Sequence, residues 1–448
     1  MFENRAEVAR TPAHELALDC LTAGIEAAHP NTVVRSAITV KAETLTIGDT
    51  AYDLTEYDTI TVLGGGKAAA QVAAELEGLL GRSVTSGIVV TSNPVATETV
   101  EVVEGGHPIP TEAGVDGTER IREHAEAADE NTLILAVITG GGSALLALPA
   151  DGISLEDLQS VTDALLASGA TIHEINAVRK HLSAIKGGQL ASAAKPATLA
   201  GVIISDVVGD DLDVIASGPT VPDRSTFEDA LAVLDRYRID APTAVRDRLD
   251  RGSEDELPET PRVGEDVFDR VENHVIANTR TAIDAAEQVA AERSRQTLVL
   301  SSKLRGEAKE VAKTQIAIAE ECLASGDPAA PPCVILAGGE STVSIRGSGT
   351  GGPNQELAVS AAIEGQETPV VLASVDTDGR DGPTDAAGAI VDGSTVDVAD
   401  DARAALADND VYPYLDGKHA LLRTGDTGTN VNDLIVVVID PAGIEADG

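Results

Sequence analysis

The sequence is short of aromatic residues, sulfur and lysine. It has no Trp, one Met, three Phe and five Tyr, so aromatics make up 2% of its 448 residues. With 43% of residues apolar the chain must still fold around sizeable cores, and these have to be built from Val, Ile, Leu and Ala. The three cysteines, Cys20, Cys322 and Cys333, show no metal-ligand spacing, and such usage fits a reducing cytoplasm. No apolar run approaches the roughly 20 residues of a membrane span, and the opening MFENRAEVARTPAHEL is charged rather than apolar. A cytoplasmic protein with no membrane partner is the expectation. Basic charge is scarce as well, with 32 Lys and Arg against 74 Asp and Glu, a net charge of −42. Without a basic stripe to displace counterions, no nucleic-acid partner is expected. Only nine of the 32 basic residues are Lys. The acids are spread through every segment, as in RIREHAEAADE and DVADDARAALADND, so they form a coat rather than a tail. Such a coat suits a halophilic protein: at about 1 M salt the Debye length falls to ~3 Å and self-repulsion is screened.

What the chain does have is a repeating grammar of apolar run, turn and amphipathic stretch. The runs are TITVL, SGIVV, NTLILAVI, LAGVII, RQTLVLSS, CVILA, PVVLASV and NDLIVVVI. They are near-continuous in Val, Ile and Leu, which predicts parallel strands covered on both faces. Between them lie helix-period segments. In SLEDLQSVTDALLASG, Leu158, Val161 and Leu165 share a stripe, with Ser154 as N-cap and Gly169 as C-cap. Alternating strands and helices mean an α/β fold. The polar stretch at 250–269, rich in Pro, Gly and acid, places a domain boundary near 250, giving an N-terminal Rossmann-like domain over 1–250 and a second α/β domain over 251–448.

Four glycine turns follow strands: Gly64–Lys67 (GGGK), Gly140–Ser143 (GGGS), Gly347–Gly352 (GSGTGG) and Thr424–Asn430 (TGDTGTN). Ligands of parallel α/β sheets bind at strand C-termini, and backbone N–H groups there attract anions, phosphate above all. The first turn fits neither familiar motif. A dinucleotide site wants an acid near the end of the next strand, which here reads IVVTSNP. A nucleoside-triphosphate loop wants Ser or Thr after its Lys, and Lys67 is followed by Ala68. Further on, Asn176, Arg179, Ser183 and Lys186 step by three, four and three, one face of a helix. Three of the nine lysines fall between Lys180 and Lys195, a local excess of cations that fits an anion site. Aspartates follow two strands, as Asp206, Asp210 and Asp211, and as Asp376, Asp378, Asp381 and Asp385. Carboxylates beside phosphate turns suit Mg²⁺, which takes one or two of them plus phosphate oxygens; Asx turns are the plainer reading of any single one. His107 sits in GGHPIPTEAG, where the flanking turn formers hold it in a loop.

Taken together, GGGKAA, GGHPIPTEAG, TGGGSALL, SGATIHEINAVRKHLSAIKGGQLA, SDVVGDDLDVIASGPTVPD, GGESTV, GSGTGGPNQELA, TDGRDGPTDAAGA and TGTNVNDL resemble, in order, the glycerate 2-kinase family with a C-terminal MOFRL domain. The resemblance spans about residues 60–437. It implies two α/β domains with mainly parallel sheets and an active site in the cleft between them. It also implies transfer of the ATP γ-phosphate to the 2-hydroxyl of D-glycerate with Mg²⁺. On this expectation Lys67 contacts the transferring phosphoryl group. Gly64, Gly65, Gly66, Gly140, Gly141, Gly142, Gly351, Gly352, Asn354 and Glu356 surround the nucleotide. Arg179, with His107, Ser143 and Asn176, holds the glycerate. Asp206, Asp376 or Asp378 holds Mg²⁺, and one of them, Asp206 foremost, takes the hydroxyl proton. Two departures stand out: Pro353 occupies a position where the family usually has Arg, and Asp426 one where it usually has Pro. Pro353 also reads as a helix-start proline. The alternatives are an oxidoreductase acting on hydroxypyruvate and a catalytically silent anion-binding homologue. The oligomeric state is not set by sequence; a homodimer is the working expectation.

Overall fold

A computed structural model of the chain describes residues 1–441. Its contacts divide the chain into two units, one of Pro30–Ile276 and one of Met1–His29 with the chain from Ala277 onward. The cores are aliphatic, as the composition requires: among Phe and Tyr only Phe2, Tyr52 and Phe227 are buried.

The unit Pro30–Ile276 is built on a six-stranded sheet. Across the sheet the strands run Glu101–Glu104, Val84–Thr91, Thr59–Gly65, Thr132–Ile138, Thr198–Ile204 and Val271–Ala277. Numbered along the chain this is the doubly wound order 3-2-1-4-5-6. The first five strands pair in parallel. Strand Thr132–Ile138 is buried at every position, the both-faces-covered state that a continuous apolar run anticipates. The chain reverses its direction of sheet growth between Thr59–Gly65 and Thr132–Ile138, so the switch point lies where the GGGK and GGGS turns emerge. Helix Leu155–Ser168 begins at a capping box made by Ser154 and Asp157 and ends at Gly169 in the left-handed conformation, as its sequence predicts. A three-stranded antiparallel meander over Ile38–Lys41, Thr44–Ile47 and Thr50–Asp53 has no counterpart in the sequence reading.

The division expected near 250 falls elsewhere in the structure. Residues 250–269 run over the surface of this unit and lead into its sixth strand. They are anchored there: Glu259 Oε2 lies 2.9 Å from His181 Nε2, and Thr260 donates to Asp223. Exposure, not a change of domain, explains their polar composition.

The second unit also carries six strands, ordered Gln296–Glu307, Cys333–Thr342, Asp433–Ile439, Val370–Asp376, Gly388–Asp392 and Leu421–Leu422. Only the first pair is parallel; the other four pairs are antiparallel. This corrects the expectation of two mainly parallel sheets. A strand buried on both faces reads as the same apolar run whichever way its neighbours point. Helix Pro12–Ala28, at the start of the chain, belongs here. Its Gly24 approaches helix Thr279–Glu292 so closely that a Cβ would fall 2.9 Å from the Ala282 carbonyl oxygen.

Candidate active site

The GGGK turn is pinned from both neighbouring strands. Gly66 N donates to Val90 O, Lys67 N to Gly140 O at 2.8 Å and Ala68 N to Thr139 Oγ1, while Thr91 Oγ1 donates to Lys67 O at 2.9 Å. Gly64 and Gly66 are needed for this closeness. Gly66 has φ +139°, and a side chain there would collide with Thr139; one at Gly64 would collide with the Val137 carbonyl. Gly65 is packed under Leu146, and a Cβ at Gly142 would lie 2.8 Å from Ala216 Cβ. These four glycines expected around a nucleotide thus serve backbone packing.

Gly140 and Gly141 meet the side chains of other segments instead. A methyl at Gly140 would strike the Asp206 carboxylate, and one at Gly141, where φ is +78°, would fall 2.8 Å from His107 Cδ2 and 3.2 Å from Lys67 Cγ. Four segments far apart in sequence therefore bring Lys67, His107, Asp206 and the Gly140–Gly141 backbone to one mouth at the switch point.

Beside that mouth lies a cavity of about 270 Å³, lined by His107, Ile109, Gly141, Ser143, Arg179 and Lys186 among others. Helix Ile172–His181 delivers Arg179 from its last turn. The helix ends there, so Ser183 and Lys186 do not continue its face as the three-four-three spacing predicts. They lie in the following turns, where Ser183 Oγ donates to Leu148 O and accepts from Ile185 N. Nor is the face solvated: Asn176, Ser183 and Lys186 are buried. Arg179 is largely desolvated, which lowers its pKa, and its guanidinium makes no hydrogen bond or ion pair with any described residue. Asn176 and Ser143 meet through a residue the sequence did not flag. Ser217 Oγ donates to Asn176 Oδ1 at 3.0 Å and lies 3.1 Å from Ser143 Oγ. Ser217 and Ala216 both have positive φ, 63° and 50°, a conformation that costs about 1–3 kcal/mol per residue. Neither Ser217 nor the off-helix position of Lys186 has a signature in spacing.

The remaining expected residues lie in the other unit, and their surroundings differ. Gly352 is the N-cap of helix Pro353–Glu364, with Pro353 at its first position. The N–H groups of Asn354 and Gln355 donate to the two carboxylate oxygens of Asp381 at 3.0 and 2.9 Å. Upstream, the N–H groups of Arg346 and Gly347 go to Asn409 Oδ1, that of Ser348 to Asp408 and that of Thr350 to Asp410. Gly351 packs on Val411. In the turn expected to cradle phosphate with Gly351, Gly352 and Asn354, the N–H groups of residues 346–350 and of Asn354 and Gln355 are therefore taken by internal acceptors on Asp381, Asp408, Asn409 and Asp410. Glu356 is buried, with Oε1 accepting from Asn409 Nδ2 at 2.7 Å and Oε2 unpartnered, and burial raises its pKa.

Asp376 and Asp378 share a turn in which Asp378 N donates to Asp376 Oδ1. Burial, then repulsion from Asp378 and Asp433, holds Asp376 well above the ordinary carboxylate range. Among the described residues no group of three or more His, Cys, Asp or Glu is arranged to hold a metal. Mg²⁺ asks for less, one or two carboxylates with substrate phosphates completing its shell, and the crowded Asp376–Asp378 turn and Asp206 beside Gly140 both fit that demand.

The fold and these surroundings define an α/β protein with a small pocket, lined by Arg179 and Lys186, beside the switch point of a doubly wound sheet. Comparison with known proteins makes this particular. Residues 16–250 match the family DUF4147, described as a domain of unknown function, and residues 333–433 match the MOFRL family. The D-glycerate 2-kinase of Thermotoga maritima is 41% identical over 95% of this chain and 98% of its own length. The glycerate 2-kinase of Pyrococcus horikoshii is 40% identical over 95% and 97%. A provisionally named hydroxypyruvate reductase of Agrobacterium vitis is 42% identical over 84% and 86%. The crystal structure of the Thermotoga maritima glycerate kinase superposes with a TM-score of 0.83 at 39% identity, covering 95% of this chain and 99% of that one. The chain belongs to this DUF4147–MOFRL family.

Proposed function

We propose that the chain is an ATP-dependent D-glycerate 2-kinase. The observation that carries this reading is the convergence of Lys67, His107 and the Gly140–Gly141 backbone on one mouth, beside a pocket holding an Arg179 that pairs with no described residue. Phosphoryl transfer asks the protein mainly to position groups and neutralise charge. The 2-hydroxyl oxygen of D-glycerate bonds to the γ-phosphorus, the bond from that phosphorus to the β–γ bridging oxygen breaks, and ADP leaves. Lys67 meets the negative charge of the transferring group. Arg179 and His107 hold the glycerate carboxylate, with Ser143 oriented through Ser217 and Asn176. Asp206 takes the hydroxyl proton. Asp206, or else Asp376 or Asp378, would hold Mg²⁺, which would neutralise charge on the phosphates.

The oxidoreductase reading draws on the strand order, shared with dinucleotide-binding sheets, and on the name of the Agrobacterium vitis relative. Against it stands the end of strand Val84–Thr91. Where an acid would hold a ribose, Thr91 instead pins the Lys67 carbonyl. A fluorescence titration with NADH and NADPH separates the two readings, and no binding is expected.

The direct test is turnover of D-glycerate and ATP with Mg²⁺ in molar KCl, the product identified by NMR. 2-Phosphoglycerate is expected; absence of turnover in folded protein removes the reading. The acidic coat adds that Tm rises with KCl between 0.1 M and molar concentrations through screening, which a melting series checks.

A further inference from the structure

Three lysines of one stretch meet different fates. Lys180 is buried between Asp213 and Asp223, 3.1 Å from the latter. Lys195 pairs with Asp266 at 2.6 Å. Lys186, only 2% exposed, bonds the Leu146 carbonyl at 2.8 Å and has no carboxylate partner among the described residues. A lysine ammonium has three donors, so a neutral carbonyl leaves two of them and the whole charge unmatched. The same cavity holds Arg179, close enough to repel Lys186. The other charged or titratable groups lining it are His107 and Asp163; Asp163 is exposed and makes no ion pair. In a chain with 74 acids, two cations share one pocket with no ion-paired carboxylate among the described residues. A buried charge is tolerated when it is paired, and the pair these two await is an anion small enough for a 270 Å³ cavity.

We propose that Lys186 is a further ligand, beside Arg179 and His107, for the carboxylate of the small hydroxy acid, and that it makes a negative charge a condition of substrate binding. This rests on the kinase reading and names its substrate-selecting residue. The backbone presents Lys186 for the purpose: its N–H donates to Ser183 Oγ, its carbonyl accepts from Gln189 Nε2, and Gly187 turns the chain at φ +60°.

The test uses the full chain in molar KCl. Lys186→Met is compared with wild type for the KM of D-glycerate, the KM of ATP and calorimetric binding of D-glycerate against glycerol, which lacks the carboxylate. Loss of a hydrogen bond to a charged group predicts a rise of about 10- to 100-fold in KM and Kd for D-glycerate, an ATP KM within about twofold, and lost preference for D-glycerate over glycerol. Lys186→Arg retains most of that preference. Should Lys186→Met not fold, Lys186→Gln, which keeps a donor for Leu146 O, takes its place. An unchanged D-glycerate KM in a variant that melts like wild type overturns the proposal, as does a rise in the ATP KM instead. If wild type binds D-glycerate without turning it over, the kinase reading fails while calorimetry on the variant still decides the role of Lys186. If wild type binds no small hydroxy acid, both fall.

Discussion

The two units each present a glycine turn after an apolar strand, and the turns behave oppositely. At Gly140–Gly141 the neighbours are the side chains of Lys67, His107 and Asp206. At Arg346–Thr350 and at Asn354–Gln355, the N–H groups are occupied by Asp408, Asn409, Asp410 and Asp381. A helix N-terminus favours an anion, but the anion can belong to the protein. Glycine content reports that backbone must come close to something. It does not report whether that something is a ligand or a neighbouring loop. The lysines repeat the lesson, since Lys180 meets two aspartates and Lys186 meets none.

This contrast can be broken at either turn. The largest expected effect is at the turn that Lys67 packs against: Lys67→Ala lowers kcat by about 100-fold or more, the scale of losing one charge-stabilising donor, with the melting temperature little changed. Full activity in that variant would falsify the assignment of Lys67. The internally satisfied turn responds in stability instead. Asn409→Ala removes the acceptor for Arg346 N and Gly347 N and the donor to Glu356, so it costs about 1–3 kcal/mol in denaturant unfolding. A large rise in the ATP KM with stability intact would show that this turn holds phosphate after all.

The smallest effect concerns pH. Burial, then repulsion from Arg179, lowers Lys186 from 10.5 to about 7. Between those values the unfolded chain binds the extra proton, so the stability contribution of this group rises with pH across the window, by up to about 1.4 kcal/mol per pH unit. Urea unfolding at pH 7.5 and 9 measures the slope. Lys186→Met removes this contribution, and saturating D-glycerate, by keeping Lys186 charged, flattens it. Equal slopes in wild type and variant count against a buried, unpaired Lys186 that gives up its proton in the folded state.

Much of the fold was legible because burial on both faces leaves an unmistakable apolar run. All eight runs are strands, and the caps Ser154 and Gly169 hold helix Leu155–Ser168 as their chemistry requires. The misreadings have physical causes. A three-four-three spacing implies one face only while a helix continues, and helix Ile172–His181 ends before Ser183 and Lys186. A polar, Pro-rich stretch is common to linkers and to surface loops, and 250–269 is the latter. Ser217 has no pattern of its own, because its place beside Asn176 and Ser143 depends on backbone strain that tertiary contacts impose.

By itself the sequence determined an acidic, aliphatic-cored α/β protein, its strands, its family motifs and the cation excess around Lys180–Lys195. These follow from composition and short-range periodicity, which act locally along the chain. Tertiary structure alone decided which strands run antiparallel, that the first 29 residues join the C-terminal unit, which glycine turn meets the side chains of Lys67, His107 and Asp206, and which lysine has no carboxylate partner among the described residues. Each of these turns on what packs against a residue from far away in the chain, and no local pattern carries that information.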